Sequence, residues 1–248
     1  MGRLKSPKSY KESFVKVFNS LCDRHSKFTV WSDFIYMTAY AISNSCDYRQ
    51  DREEQYLNIV KRYSKDEIDK ISELFVLTVM ALDSERKQDF LGQMYMENGF
   101  GNTRKGEYFT PYNIAELMAQ IADDGRCANE KYITVNDPAC GSGVMLIAFS
   151  NKLLESGINH HLKMLAIAND VDPCIALMCY IQLSLLGCAG YVCIRNTITE
   201  PVTGNMLYPP EDAFVTPLFF HPVWQMRRIL ESINKGENYG HIESGKVV

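Results

Sequence analysis

The stretch that decides the fold is NDPACGSG, residues 136–143. It directly follows the short hydrophobic segment 132–135 and directly precedes the apolar run 144–149. This order predicts a β-strand that ends in an acid, then a tight glycine turn, then a helix. Such a turn brings the backbone close to a bound ligand beside a helix N-terminus. The spacing is neither GxGxxG nor GxxxxGK[ST], so it predicts neither a dinucleotide fingerprint nor a phosphate-binding loop.

Three further motifs stand around this loop. DFLGQMY occupies residues 89–95 and GEYFTP residues 106–111, and NDVDP follows at residues 169–173. Together the four motifs resemble those of the N6-adenine DNA methyltransferases, in particular the modification (M) subunits of type I restriction-modification systems. The resemblance covers roughly residues 85–200. It implies S-adenosylmethionine as the cofactor and methyl transfer to the N6 amine of adenine in DNA.

The resemblance also implies a set of cofactor-binding residues. The implied residues are Tyr108, Thr110, Asp137, Ala139, Gly141, Gly143, Asp170 and Asn196.

Each member of this set has a role in the family that it resembles. By this resemblance Asp137 is expected to lie near the amino group and ribose of the cofactor, with the backbone of residues 139–143 lining the pocket. Asp170 is expected to hold the ribose, and Asn196 to contact the adenine ring. The segment 106–111 is expected to fold over the methionine end of the cofactor.

The residues themselves allow a second interpretation of two of these motifs. Asp170 ends an apolar run about 30 residues after the glycine loop, where a carboxylate can accept hydrogen bonds from two ribose hydroxyls. Asp170 and Asp172 could instead both cap the next helix, and for Asp172 we favour the cap. Thr110 and Pro111 read as an N-cap and a first helical residue. The apolar residues that follow at helical spacing are Ile114, Leu117, Met118 and Ile121.

One motif of the family is missing. Its members carry [NDS]-P-P-[FYW], whose polar group and first carbonyl orient the target amine while the ring stacks on the flipped base. The only Pro-Pro here lies in Tyr208-Pro209-Pro210-Glu211, which we interpret as a loop. Two hypotheses follow: a methyltransferase whose catalytic face is unrecognised or comes from a partner, or a catalytically inactive S-adenosylmethionine-binding subunit with an assembly or regulatory role.

The predicted fold class is α/β, a Rossmann-like methyltransferase half-sheet preceded by helices. We predict a helical N-terminal domain over residues 1–100 and a methyltransferase-like domain with an incomplete second half over residues 101–248. Three strands are clear, and residues 213–220 are a candidate fourth, although Pro217 argues against a central position. A helix is predicted over residues 221–232, anchored by Trp224, Ile229 and Leu230.

Composition indicates a cytoplasmic globular protein. Hydrophobic residues make up 46% of the 248 and charged residues 23%, as is usual for such proteins. The eight cysteines lack metal-ligand spacing and read as reduced thiols, and no metal site is predicted. The uncharged run 174–194 reads as a buried helix, a turn at Gly187 and a buried strand rather than a membrane span.

The charge balance bears on the partners. A net charge of −4 is unusual for a protein that binds DNA alone, because such proteins present a basic surface to the phosphates. The expected partners are therefore DNA together with a specificity or companion subunit, and a homo-oligomer is possible.

Overall fold

The computed structural model describes residues 7–101, 109–123 and 125–235. Helices come first along the described chain: α1 (Pro7–Leu21), α2 (Lys27–Asn44), α3 (Gln50–Val60), α4 (Lys65–Ser84), α5 (Phe90–Glu97) and α6 (Tyr112–Ala122). Strands and helices then alternate: β1 (Ile133–Asp137), α7 (Val144–Glu155), α8 (His160–Lys163), β2 (Met164–Asp170), α9 (Pro173–Leu185), β3 (Ala189–Ile194), β4 (Phe214–Val215) and α10 (Pro222–Lys235). Single 3-10 turns cover Arg126–Ala128 and Pro217–Phe220.

The sheet has the order β1-β2-β3-β4. Strands β1, β2 and β3 are parallel, with Val135 opposite Ala166 and Ala166 opposite Gly190. Strand β4 is antiparallel to β3. The predicted α/β class, with helices before the sheet, is therefore confirmed. Because parallel strands share the direction of their carboxyl ends, the loops after β1, β2 and β3 meet at one edge of the sheet.

The fourth strand is short and lies at the sheet edge. Residues 214–215 pair with β3, and Thr216 then ends the ladder by accepting the Gly190 amide on its hydroxyl at 3.0 Å. Pro217 begins the following 3-10 turn. Proline has no amide hydrogen to donate to a ladder, which explains why the strand stops before it.

The two faces of the sheet are covered differently. One face joins a large core that runs from Phe14 and Trp31 of the N-terminal helices to Ala166 of β2. The other face, with Tyr191 of β3, is covered by Trp224 of α10. Since buried side chains of the N-terminal helices and of the sheet form one continuous core, the division at residue 100 stays a prediction.

Polar contacts also fasten the N-terminal helices to the sheet. Arg52 of α3 is buried, donates to the carbonyl oxygen of Ala213 at 2.9 Å and lies 4.0 Å from the ring centre of Phe214.

In the same helical region the capping box of Ser64 and Glu67 starts α4. A carboxylate that returns to the N-cap amide satisfies a donor that the helix leaves open.

The start of α6 differs from its prediction. The N-cap is Pro111, with extended backbone (φ −60°, ψ 142°), and Tyr112 is the first helical residue. The carbonyl oxygen of Pro111 accepts the amides of Ile114 and Ala115. Thr110 therefore lies one residue too early to cap the helix, and that prediction was wrong.

The apolar face of α6 is exposed rather than packed. Helix α6 contacts α7 and buries only Ala115 and Ala119. Two small residues allow the helices to approach closely, and the larger side chains then point away. Those exposed side chains are Ile114, Leu117, Met118 and Ile121, the last of them 76% exposed.

The uncharged run 174–194 folds as predicted. It forms α9, a turn in which Gly187 has φ 67°, and β3, all largely buried. In the described part of the chain, no helix is long and apolar enough to cross a membrane.

The eight cysteines are free thiols, and among the described residues no cluster of acidic, histidine and cysteine side chains could hold a metal ion.

Helix α10 extends slightly beyond its prediction. It ends at Lys235, and Trp224 is buried as expected. Leu230, which was predicted as an anchor, is exposed. Arg228, rather than Leu230, contacts the rest of the protein, because its guanidinium donates to the carbonyl oxygen of Phe219.

A buried histidine makes the fold sensitive to acid. His160 is fully buried, with Nε2 3.3 Å from the carbonyl oxygen of Leu186. Burial, followed by the neighbouring His161, lowers the pKa of His160 to about 4. The contribution of neutral His160 to the stability of the fold is therefore fully present above pH 6.5. It is lost as the pH falls from 6.5 towards 4, because in this range only the unfolded chain takes up the proton.

We expect the free energy of unfolding to fall by on the order of 2 kcal/mol across this window from His160 alone. Urea unfolding at pH 7 and at pH 4.5 measures the change. Acidic residues titrate in the same range, so the control is His160→Gln, which should show a shallower loss. An equal loss in both proteins would contradict the assignment.

Candidate functional site

The loop between β1 and α7 depends on two glycines. Gly141 has φ 55° and Gly143 φ 97°, in the left-handed region that other residues rarely adopt. Within the loop the Gly143 amide donates to the carbonyl oxygen of Cys140 at 2.8 Å. The Cys140 amide donates to the carbonyl oxygen of Asn169 at 2.8 Å, which ties the loop to β2. The predicted strand, glycine turn and helix are thus all present.

The loop is also packed closely on both sides. A Cβ atom at Gly143 would lie 2.8 Å from Sγ of Cys179 in α9. A Cβ atom at Gly141 would lie 3.5 Å from the ring of Phe109. Phe109 in turn lies 5.5 Å from the ring of Tyr95. The end of the GEYFTP segment therefore lies against the glycine loop.

Two carboxylates stand at the ends of β1 and β2. Asp170 accepts the amide of Gly141 on Oδ2 at 3.0 Å and the amide of Asp172 on Oδ1 at 3.0 Å. Asp137 accepts the amide of Ala139 on Oδ1 at 3.2 Å. Burial raises the pKa of Asp137, and the nearby charge of Asp170 raises it further. Two close carboxylates make this edge suited to a ligand that offers hydroxyl groups or positive charge.

Asp172 has the structural role that we favoured. It is the N-cap of α9, and its Oδ1 accepts the amides of Cys174 at 2.9 Å and Ile175 at 3.1 Å. Pro173 follows at the first helical position. Of the two acids, Asp170 alone directs its carboxylate to the glycine loop.

The loop after β3 reaches the same edge. Thr197 donates its hydroxyl to the carbonyl oxygen of Pro138 at 2.7 Å, which fastens this loop to the glycine loop. Asn196 is exposed, and its Oδ1 accepts the amide of Ile198 at 3.0 Å. Thr110 is half-buried beside Phe109, and Tyr108 lies outside the described residues. The described members of the predicted set thus lie on three neighbouring loops and on the segment before α6.

Three residues at this edge were missed by the sequence analysis. Val171 and Ile198 are 65% and 92% exposed, directly after Asp170 and close after Asn196. Such exposed apolar side chains can contact a flat ring. Phe109 is the third. The position directly after a strand-ending acid could have indicated Val171, and the aromatic pair of the GEYFTP motif could have indicated Phe109. No local signal indicates Ile198.

The Pro-Pro segment lies in a loop, as predicted. Its Tyr208 donates to the carbonyl oxygen of Arg228 in α10 at 3.0 Å, and its hydroxyl lies 3.1 Å from that of Ser232. The segment is thus fastened to the helix that covers one face of the sheet. The hydroxyl of Tyr208 is thus held by α10, while Glu211 is exposed and lines a cavity together with Pro173 and Ile194.

The chain is similar to a known protein family and to a solved structure. A family model described as N-6 DNA Methylase matches residues 86–238, more than half of the chain. A crystal structure of the type I restriction-modification system methyltransferase subunit from Streptococcus thermophilus is similar over 81% of this chain, with 13% sequence identity and a TM-score of 0.44. The match spans 61% of that subunit.

Proposed function

Because the chain belongs to the N-6 DNA methylase family, we propose that it binds S-adenosylmethionine at the carboxyl ends of β1, β2 and β3 and takes part in methyl transfer to the N6 amine of adenine in DNA. One observation carries the proposal. Asp137 and Asp170 flank a turn that is held open by two left-handed glycines and leads into α7. This is the arrangement by which α/β folds bind a nucleoside at the carboxyl edge of the sheet.

The residues present fit the cofactor. Each carboxylate oxygen of Asp170 accepts one backbone amide and keeps capacity for a second donor, so both ribose hydroxyls can bind there. Val171 and Ile198 offer apolar surface to the adenine, with Asn196 beside them. When bound, the cofactor would supply an activated methyl group for direct displacement.

The negative charge of the site fits the other end of the cofactor. Asp137 is a half-buried carboxylate whose pKa is raised by burial and by Asp170. A positively charged ligand group close to Asp137 would offset the loss of solvation that raises this pKa. Phe109 lies against the glycine loop, and Thr110 follows it in the chain. We assign this segment to the methionine end of the cofactor.

A second function is favoured by the Pro-Pro segment. The sequence contains no [NDS]-P-P-[FYW], and Tyr208 is bound to α10. With no recognised group to orient the target amine, the chain would act as a cofactor-binding subunit with an assembly or regulatory role. The same site supports both functions, so the chemistry on DNA decides between them.

We also propose that DNA is engaged through a companion or specificity subunit. The net charge of −4 gives this chain no overall attraction for the phosphate backbone. A partner that carries the basic surface would supply it, and self-association is a further route to a larger surface.

Transfer of a labelled methyl group from S-adenosylmethionine to unmodified DNA distinguishes the two functions. Incorporation into adenine by the purified chain would support the enzyme, and DNA already methylated at N6 is the control substrate. Absence of incorporation, in a preparation that binds the cofactor, would support the non-catalytic subunit.

A further inference from the structure

A buried carboxylate links the N-terminal helices to the glycine loop. Asp89 is only 4% exposed and is the N-cap of α5, where its Oδ1 accepts the amide of Gly92 at 2.9 Å. Its Oδ2 accepts a hydrogen bond from the hydroxyl of Ser142. Ser142 stands between Gly141 and Gly143, at the centre of the loop. The two residues are 53 positions apart in the sequence.

Gln182 of α9 completes the contact. Its Nε2 donates to Oδ1 of Asp89 and to the carbonyl oxygen of Ser142, both at 2.8 Å. Its Oε1 accepts the amide of Leu91 at 3.1 Å. Asp89, Ser142 and Gln182 are all buried and form a polar cluster, which we call the loop clamp. The clamp joins α5, the glycine loop and α9.

The clamp requires a glycine in α5. A Cβ atom at Gly92 would lie 2.0 Å from Oδ2 of Asp89 and 2.4 Å from Oγ of Ser142. No side chain fits in that space. The aspartate and the glycine of the DFLGQMY motif are therefore the residues that bring α5 into contact with the loop.

Stability alone does not account for the clamp. Burial raises the pKa of Asp89, although hydrogen bonds from Ser142, Gln182 and Gly92 act in the opposite direction. Burying a carboxylate is costly, and apolar residues of similar volume often stabilise a core as well or better. The clamp instead fixes the position of Ser142. This residue lies between Gly141 and Gly143, which have the greatest backbone freedom in the loop.

We propose that Asp89 is a positioning residue, which holds the glycine loop in its ligand-ready conformation through Ser142 and thereby sets the affinity of the chain for S-adenosylmethionine. The inference rests on the proposed function. A loop that is already ordered has less conformational entropy to lose on binding. Without the clamp, binding must order the loop, and we expect affinity to fall about tenfold.

The test compares two helix caps. Asp89→Ala removes the N-cap of α5 together with the clamp, and Ser26→Ala removes the N-cap of α2, whose hydroxyl accepts the amide of Thr29 at 3.1 Å. Hydrogen exchange is measured for the peptide containing residues 139–144 in the cofactor-free proteins. S-adenosylmethionine affinity is measured by calorimetry. We expect faster loop exchange and about tenfold weaker binding for Asp89→Ala only.

A conservative variant and a double-mutant cycle complete the test. Asp89→Asn keeps an acceptor for Gly92 and can donate to Ser142, so it should restore loop protection and bring affinity within about threefold of the parent. Asp89→Ala and Ser142→Ala should be non-additive in their effect on affinity, because they break the same contact. Equal effects of Asp89→Ala and Ser26→Ala, or full additivity in the cycle, would overturn the proposal. If the parent protein itself does not bind the cofactor, the proposed function fails, and loop exchange in the cofactor-free proteins still decides whether Asp89 holds the loop.

Discussion

Replacing Asp170 by alanine is expected to weaken S-adenosylmethionine binding by about 100-fold or more, while the protein stays folded. The substitution would remove two charge-assisted hydrogen bonds between the carboxylate and the ribose, each worth roughly 1.5–3 kcal/mol. It would also release the amide of Gly141, which Oδ2 accepts at 3.0 Å, so the glycine loop loses a support at its first left-handed residue. Calorimetric titration gives the affinity, and circular dichroism checks the fold.

A matched control lies two residues away. Asp172→Asn removes a charge at nearly the same place but keeps the oxygen that caps α9, and asparagine is as good an N-cap as aspartate. We expect this variant to bind the cofactor within about threefold of the parent protein. Unchanged affinity in Asp170→Ala would show that the end of β2 does not hold the ribose. An equal loss in both variants would indicate a general effect of charge.

Replacing Gly190 by alanine is expected to cost about 3 kcal/mol or more of stability. Gly190 lies in β3, opposite Ala166 of β2, and a Cβ atom there would lie 2.0 Å from the carbonyl oxygen of Ala166 and 2.8 Å from its carbonyl carbon. Both are backbone atoms of a central strand. The added methyl group can therefore be accommodated only if β2 and β3 move apart. Urea unfolding followed by circular dichroism measures the loss.

The control for Gly190 is a glycine with open space around it. Gly157 has φ 73°, and a Cβ atom there would meet nothing within 4 Å among the described residues. Gly157→Ala should cost only about 1 kcal/mol, the cost of a left-handed backbone for alanine. A loss in Gly190→Ala no larger than in Gly157→Ala would show that the pairing of β2 with β3 is looser than the register indicates.

Local sequence signals were sufficient to predict much of this fold. The strand, glycine turn and helix around residues 133–155 follow from an apolar run, an acid and glycines that are adjacent in the chain. The helix and strand within residues 174–194 follow from length, the absence of charge and the break at Gly187. The capping role of Asp172 is likewise local, because the bonded partners lie within three residues.

All but one of the failures originate in long-range packing, and the exception is the start of α6. Spacing showed that α6 has an apolar face, but only its contact with α7 through Ala115 and Ala119 shows that this face is exposed. The start of α6 was misplaced because the backbone of Pro111 is extended. Likewise, the DFLGQMY motif marked Asp89 without indicating its contact with Ser142, 53 residues later.

The candidate site divides in the same way. Asp137, Gly141, Gly143 and Asp170 could be named because they end strands or form the turn. Phe109 and Val171 had local signals that the sequence analysis did not use, whereas Ile198 had none, because its relevance depends on exposure and on which loops lie side by side. The structure brings Pro138 and Thr197 together through a hydrogen bond that joins residues 59 positions apart.

Direct titration of the purified chain with S-adenosylmethionine tests the central claim most directly. Isothermal calorimetry should show saturable binding with one cofactor per chain, and S-adenosylhomocysteine should compete because it shares the adenosine that Asp170 and Val171 would contact. Saturable binding that Asp170→Ala weakens by about 100-fold or more is the result we predict. No heat of binding and no thermal stabilisation by the cofactor, in a chain shown to be folded, would contradict it.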